Sequence, residues 1–306
     1  MVRLAWLPFD PAALGDLPDG LRVEHVDPSH SDGDIGLSEV EFFVPSYDRP
    51  LDLARLLPQM TSLSVVQTQT AGVDNVLPHL PAGVQLCNAR GVHDASTAEL
   101  AVALLLSALR GIPDFVRAQE SGRWAHGPRR ALADHRVLVL GHGSIGEAVE
   151  RRLEPFECEV VRVARNRRRD SRGELVHGLD ELPELLPQVQ AVVVLVPLSE
   201  QTQGLVDRAF LARLQDQAVL VNVARGAVVD TDALLAETSS GRLLAALDVT
   251  DPEPLPPDHP LWRSPGVLIS PHVGGATTAM QPRIHRLLRE QLGRFAVGDP
   301  LLNVVA

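Results

Sequence analysis

Val137-Leu138-Val139-Leu140-Gly141-His142-Gly143-Ser144-Ile145-Gly146 is the stretch whose reading decides the fold of this chain. Four apolar residues read as a buried strand, and the glycines after them open a helical pattern. A GxGxxG spacing alone is a weak signal, equally at home in an ordinary glycine-rich turn. Between strand and helix it has a physical rationale. Glycine allows the tight turn and close backbone approach, and the helix N-terminus presents N–H groups and positive dipole to a pyrophosphate.

Working outward, apolar runs recur downstream at 160–163, 191–196, 218–223, 243–249 and 267–270, with helical stretches such as 208–214 and 232–237 between several of them. β-Branched runs without polar alternation are what a parallel sheet covered on both faces requires. This half therefore predicts a doubly wound, Rossmann-like dinucleotide-binding domain. Upstream, shorter runs at 4–7, 40–44, 63–66 and 84–87 are separated by Pro, Gly and Asp and predict a smaller, flavodoxin-like α/β domain. The stretch 95–106 is apolar on most faces and reads as a buried connecting helix. The tail from 277 to 297, with Ile284, Leu287, Leu288, Leu292 and Phe295 at helical spacing, is expected to return to the first domain. The predicted boundaries are 1–92 completed by 281–306 for the smaller, substrate domain and 93–280 for the dinucleotide domain.

Composition excludes several function classes. At 306 residues, 45% hydrophobic and 22% charged, the chain is two domains' worth of globular protein. A formal net charge of −11 leaves no broad basic footprint for nucleic acid or an anionic membrane surface. Every basic residue is arginine, so Schiff-base and P-loop lysine mechanisms are ruled out. Cys87 and Cys158 lie far apart, without CxxC spacing, and read as packing residues in a reducing cytoplasm. The longest apolar stretch, around 100–109, is too short to span a bilayer, and the N-terminal segment lacks an export signal's apolar core. His93, His126, His142 and His259 lack metal-ligand spacing, and no metal is expected.

In an open parallel sheet, ligands bind beyond the carboxyl ends of the strands. Three such ends carry ionisable groups: Arg225 in Asn222-Val223-Ala224-Arg225-Gly226, Asp248 and Glu253 in Asp248-Val249-Thr250-Asp251-Pro252-Glu253-Pro254, and His272 in Ser270-Pro271-His272-Val273-Gly274-Gly275. Singly, each reads more simply as a surface ion pair, a solvated loop acid or a structural histidine. Their shared placement after successive strands favours a site.

With the glycine motif, these segments resemble, in order and approximate spacing, the D-isomer-specific 2-hydroxyacid dehydrogenase family. The resemblance runs from the strand before Ala71-Gly72-Val73-Asp74 to the tail Pro300-Leu301-Leu302-Asn303-Val304-Val305. Within the family, Ser96-Thr97-Ala98-Glu99-Leu100-Ala101-Val102-Ala103 looks most like glyoxylate and hydroxypyruvate reductases. Reduction of a 2-oxo acid needs a hydride on C2, a proton on the ketone oxygen and a fixed carboxylate. The resemblance implies His272 as general acid, Glu253 as the carboxylate that orients its ring and favours imidazolium, and Arg225 as the fork on substrate carboxylate and ketone. It further implies substrate binding by the backbone of Ala71, Gly72 and Val73 and a nicotinamide carboxamide contact from Asp248. The cofactor site it implies includes Thr97, Gly141, Gly143, Ser144, Ile145, Gly146, Val196, Pro197, Val223, Ala224, Arg225, Asp248, His272, Gly274 and Gly275. It also implies a homodimer contacting through 111–123 and Trp124.

One departure bears on the cofactor. NAD-dependent relatives end the second strand in an acid that binds the ribose hydroxyls. Here that place holds Ala164, followed by Arg165, Arg167 and Arg168, so NADP(H) is expected over NAD(H). The same arginine run also reads as a merely solvated face. Two other functions use the same residues: an NAD-dependent D-2-hydroxyacid dehydrogenase of different substrate range, and a dinucleotide-sensing, corepressor-like interaction protein. Phosphoglycerate dehydrogenase is disfavoured by the short tail after Asn303.

Overall fold

A computed structural model describes residues 2–26, 36–49 and 51–306. They form two compact units, Met1–His93 with Thr278–Ala306, and Asp94–Thr277.

The smaller unit holds a parallel sheet of β1 (Arg3–Leu7), β2 (Leu21–His25), β3 (Val40–Phe43), β4 (Val65–Gln67) and β5 (Gln85–Cys87), in the order β2-β1-β3-β4-β5 of flavodoxin-like folds. Strand β1 shows the period-2 logic. Leu4 and Trp6 pack on one face with Phe43, Val66 and Leu86, while Ala5 and Leu7 pack on the other with Phe42 and Val65. Helix Met280–Val297 covers that second face with Ile284, Leu288, Leu292 and Phe295. These side chains are almost fully buried, and each contributes roughly 1.5–3 kcal/mol by burial. The helix starts at Met280 rather than 277, because Thr277 and Thr278 close the preceding glycine-containing loop. Strand β2 is absent from the sequence reading. Its Arg22, Glu24 and His25 leave no apolar run, and only its pairing with β1 defines it.

The larger unit contains β6 (Arg136–Leu140), β7 (Glu159–Val163), β8 (Arg168–Arg169), β9 (Leu175–His177), β10 (Ala191–Val194), β11 (Val219–Asn222), β12 (Leu244–Leu247) and β13 (Val267–Ile269). Their order is β13-β12-β11-β10-β6-β7-β9-β8, parallel throughout except for β8. Both faces are covered, which explains the unbroken apolar runs. Leu138, Leu140, Val192 and Val194 face one core, and Val137, Val139, Val193 and Val221 face the other beneath helix Asp94–Arg110. Strand β6 lies between β10 and β7, where the order reverses, so its carboxyl end marks the switch point at which such sheets bind ligands. Among the described residues no single helix is long and apolar enough to cross a membrane.

Candidate active site

At the carboxyl end of β6 the glycine loop takes the shape its spacing foretells. Gly141 has φ +113°, and a Cβ there would lie 2.6 Å from the Leu195 carbonyl carbon. At Gly146 a Cβ would sit 2.4 Å from the Gly141 oxygen, so helix Ser144–Leu153 packs directly against the turn. A Cβ on Gly143 would meet nothing within 4 Å. The loop therefore fits a dinucleotide: tight where it touches protein, open where a pyrophosphate would approach the helix N-terminus. The loop borders a cavity of about 410 Å³ that Ala164, Arg165, Val196 and Pro197 also line.

The three arginines after β7 diverge. Arg165 faces this cavity and makes no hydrogen bond or ion pair among the described residues. Arg167 is paired with Glu181, which also accepts from His177 Nδ1 at 2.8 Å. Arg168 donates to the His142 carbonyl at 2.7 Å from the β8–β9 hairpin, an element unforeseen in sequence because its exposed face is all charge.

His142 exposes the other feature that sequence reading missed. Its ring is buried, with Nε2 2.6 Å from Glu150 Oε2. Glu150 Oε1 accepts from Arg162 Nε (3.0 Å) and Nη2 (2.6 Å) and from Arg172. Burial pushes the Glu150 carboxyl up, but the hydrogen bonds from Arg162, His142 and Arg172 outweigh it and hold the group below the usual carboxylate range. His142, Glu150 and Asp170 have ligating atoms close enough to hold a metal ion, but guanidinium groups already engage the carboxylate. The network reads as an ion-pair clamp beneath the glycine loop.

Arg225, Glu253 and His272 stand on loops after β11, β12 and β13 of this same unit. Buried Asn222 shapes the first loop, accepting from Ala224 N at 3.0 Å and donating to the Arg225 carbonyl at 2.9 Å. Gly226 lets this loop lie on the next, since a Cβ would fall 1.9 Å from the Thr250 oxygen. Arg225 itself is partly buried, with Nη1 donating to the Ala224 carbonyl at 2.8 Å.

Asp248 organises the third loop. It is 3% exposed; Oδ1 accepts from Ser270 Oγ (2.6 Å) and Val273 N (2.9 Å), and Oδ2 from Gly274 N (2.9 Å). One acceptor direction on Oδ2 is left for a ligand amide. The Thr97 hydroxyl donates to the Gly274 carbonyl at 3.3 Å, and Gly275 follows in the same loop. His272 N donates to the Asp248 carbonyl at 2.7 Å, with φ +52°, a left-handed conformation in which non-glycine residues are uncommon. Such strain clusters at functional sites. His272 Nδ1 lies 2.5 Å from Glu253 Oε1, and Nε2 has no partner among the described residues. Because a carboxylate only accepts, Nδ1 carries its proton, and Nε2 is the nitrogen open to exchange.

Ala71, Gly72 and Val73 lie in the smaller unit, beyond the carboxyl end of β4. Their carbonyls are engaged: Ala71 O by Asn88 Nδ2 (2.8 Å), Gly72 O by Thr70 Oγ1 (2.7 Å), Val73 O by the amides of Val76 and Leu77 (2.9 Å each). Their three N–H groups make no hydrogen bond among the described residues. Unpartnered successive amides are groups that can receive an anion such as a carboxylate.

Comparisons with known proteins point to one family. Residues 102–274 match the family model described as D-isomer specific 2-hydroxyacid dehydrogenase, NAD binding domain. The human glyoxylate reductase/hydroxypyruvate reductase is 33% identical over 249 residues, covering 78% of this chain and 76% of that one. A D-isomer specific 2-hydroxyacid dehydrogenase from Xanthobacter autotrophicus, solved with NADPH and MES, superposes with a TM-score of 0.84 at 31% identity over 99% of this chain and 98% of that one. The NADPH-dependent glyoxylate/hydroxypyruvate reductase of Sinorhizobium meliloti, solved with NADP and malonate, gives 0.82 at 26% identity over 100% and 97%. Family model, sequence relatives and fold converge, and the chain belongs to the D-isomer specific 2-hydroxyacid dehydrogenase family of NAD(P)-dependent oxidoreductases.

Proposed function

We propose that this protein is a cytoplasmic, NADPH-dependent reductase of small 2-oxo acids of the glyoxylate and hydroxypyruvate type, yielding D-2-hydroxy acids. The observation that carries this is the His272–Glu253 pair at 2.5 Å with Nε2 open, beside the Arg225 loop. When bound, the reduced nicotinamide supplies the hydride to C2. His272 Nε2 gives its proton to the ketone oxygen, and Glu253 holds the ring through Nδ1. Arg225 grips the carboxylate and polarises the ketone with its planar donors. The free acceptor direction of Asp248 orients the carboxamide, and in the smaller unit the unpartnered amides of Ala71, Gly72 and Val73 are the candidate groups for substrate binding. Steady-state turnover of a panel of 2-oxo acids with both cofactors tests the reading; absence of turnover on all of them overturns it.

Cofactor preference rests on Arg165. A 2′-phosphate gains charge-assisted hydrogen bonds there, each worth roughly 1.5–3 kcal/mol when well formed, while Ala164 removes the acid that would repel it. At an exposed rim, solvent and salt reduce that figure. The expected preference for NADPH in kcat/KM is about tenfold or more, falling towards parity in Arg165→Ala and weakening with added salt. Equal efficiency with NADH in the wild type returns the arginines to a solvated face.

We also propose a homodimer, supported by helix Ile112–Glu120 and the segment after it, where Ile112, Val116 and Trp124 are 44%, 53% and 92% exposed. Apolar groups so placed are best covered by a second copy. Light scattering is expected to give twice the chain mass, and a monomeric mass refutes the dimer.

A further inference from the structure

The smaller unit contains a cavity of about 390 Å³ at the carboxyl ends of β3 and β4. It adjoins the free amides of Ala71, Gly72 and Val73, because Thr68, Gln69 and Thr70, the residues leading into them, form part of its wall. Glyoxylate, with only hydrogen on its carbonyl carbon beyond the carboxylate, has nothing to place there.

Its chemistry is specific. Ser46 and Asn75 line it, and neither side chain makes a hydrogen bond among the described residues. Gln69 is 6% exposed; its Nε2 donates to the Pro45 carbonyl at 2.9 Å, which leaves Oε1 as the accepting atom without a partner among the described residues. A serine hydroxyl, a carboxamide and a fixed amide oxygen together donate and accept, which is what an alcohol requires and a methyl group cannot use. Asp48 and Arg49 also line the cavity, so its lining carries one acid and one base and no net formal charge to favour a second anionic group. An apolar substituent entering would displace solvent from three polar groups without replacing its hydrogen bonds, and sites built this way discriminate strongly.

Resting on the function proposed above, we infer that the cavity receives the hydroxylated carbon chain of the substrate. The protein prefers neutral 2-oxo acids of three or more carbons with a hydroxyl at C3 or C4, held by Ser46, Gln69 and Asn75, over glyoxylate and pyruvate. The test uses the full chain with NADPH and compares kcat/KM for glyoxylate, pyruvate, hydroxypyruvate and 4-hydroxy-2-oxobutanoate. Hydroxypyruvate is expected to exceed pyruvate by at least about tenfold. The ratio should fall severalfold in Ser46→Ala/Asn75→Leu and survive in Ser46→Thr, which keeps the hydroxyl. Pyruvate reduced as efficiently as hydroxypyruvate, or a ratio unmoved in the double variant, overturns this inference and leaves the 2-oxo acid reductase standing. Failure to reduce any of the four overturns both.

Discussion

His272→Asn is expected to lower turnover in 2-oxo acid reduction by at least about a hundredfold, the low end of general acid–base contributions, with the dissociation constant of NADPH nearly unchanged. Asparagine is the informative replacement because it tolerates the left-handed backbone that His272 adopts at φ +52°. The hydrogen bond from residue 272 to the Asp248 carbonyl should persist, and with it the loop that carries Gly274 and Gly275. What disappears is the imidazole that gives its proton to the ketone oxygen. Turnover is read from NADPH absorbance and cofactor binding from NADPH fluorescence. Near-wild-type turnover would show that the proton comes from elsewhere.

Glu150→Ala is expected to cost about 3–5 kcal/mol of stability, the usual consequence of removing one partner from a buried ion pair. The Arg162 side chain is only 17% exposed and the His142 ring wholly enclosed, so neither regains full hydration when the carboxylate is lost. The glycine loop above them should loosen, and NADPH affinity should fall as well. Because the Glu150 carboxyl is held below its ordinary range in the fold, its contribution is fully present above the unfolded value. It is lost as pH falls through the folded one. The stability gap between wild type and variant, from urea denaturation, should therefore be largest near neutrality and narrow as the pH falls below the ordinary carboxylate range. A gap independent of pH would assign the loss to packing instead of charge.

Much of the fold was legible because its strands are buried on both faces. Runs such as Val137 to Leu140, which a glycine turn follows, and Ala191 to Val194 carry no polar alternation and so read as strands of a covered parallel sheet. Strand β2 was illegible for the opposite reason: half-exposed residues carry no pattern, and its identity lies in its partner. The loops with Arg225, Glu253 and His272 could be found because chemistry recurred at strand ends. The clamp on Glu150 could not. A glutamate on a helix, an arginine on a strand and a histidine inside a glycine motif share no spacing, and only the packing of β7 against the loop brings them together. The divergent roles of Arg165, Arg167 and Arg168 were hidden likewise, since a turn and a short hairpin decide which of three identical side chains keeps its charge unengaged.

Backbone-to-backbone seating of Gly226 on Thr250 has a mechanical corollary. No side chain lies at that contact to act as a spacer or bearing, and the Thr231 hydroxyl ties the neighbouring strip to the Asp251 carbonyl at 2.9 Å. The segment bearing Arg225 and the segment leading to Glu253 are thus held backbone against backbone and are expected to move as one. Any thermal excursion that shifts the guanidinium also carries the carboxylate that aims the imidazole. Carboxylate grip and proton delivery would then drift out of tune together, and return together, instead of failing one at a time.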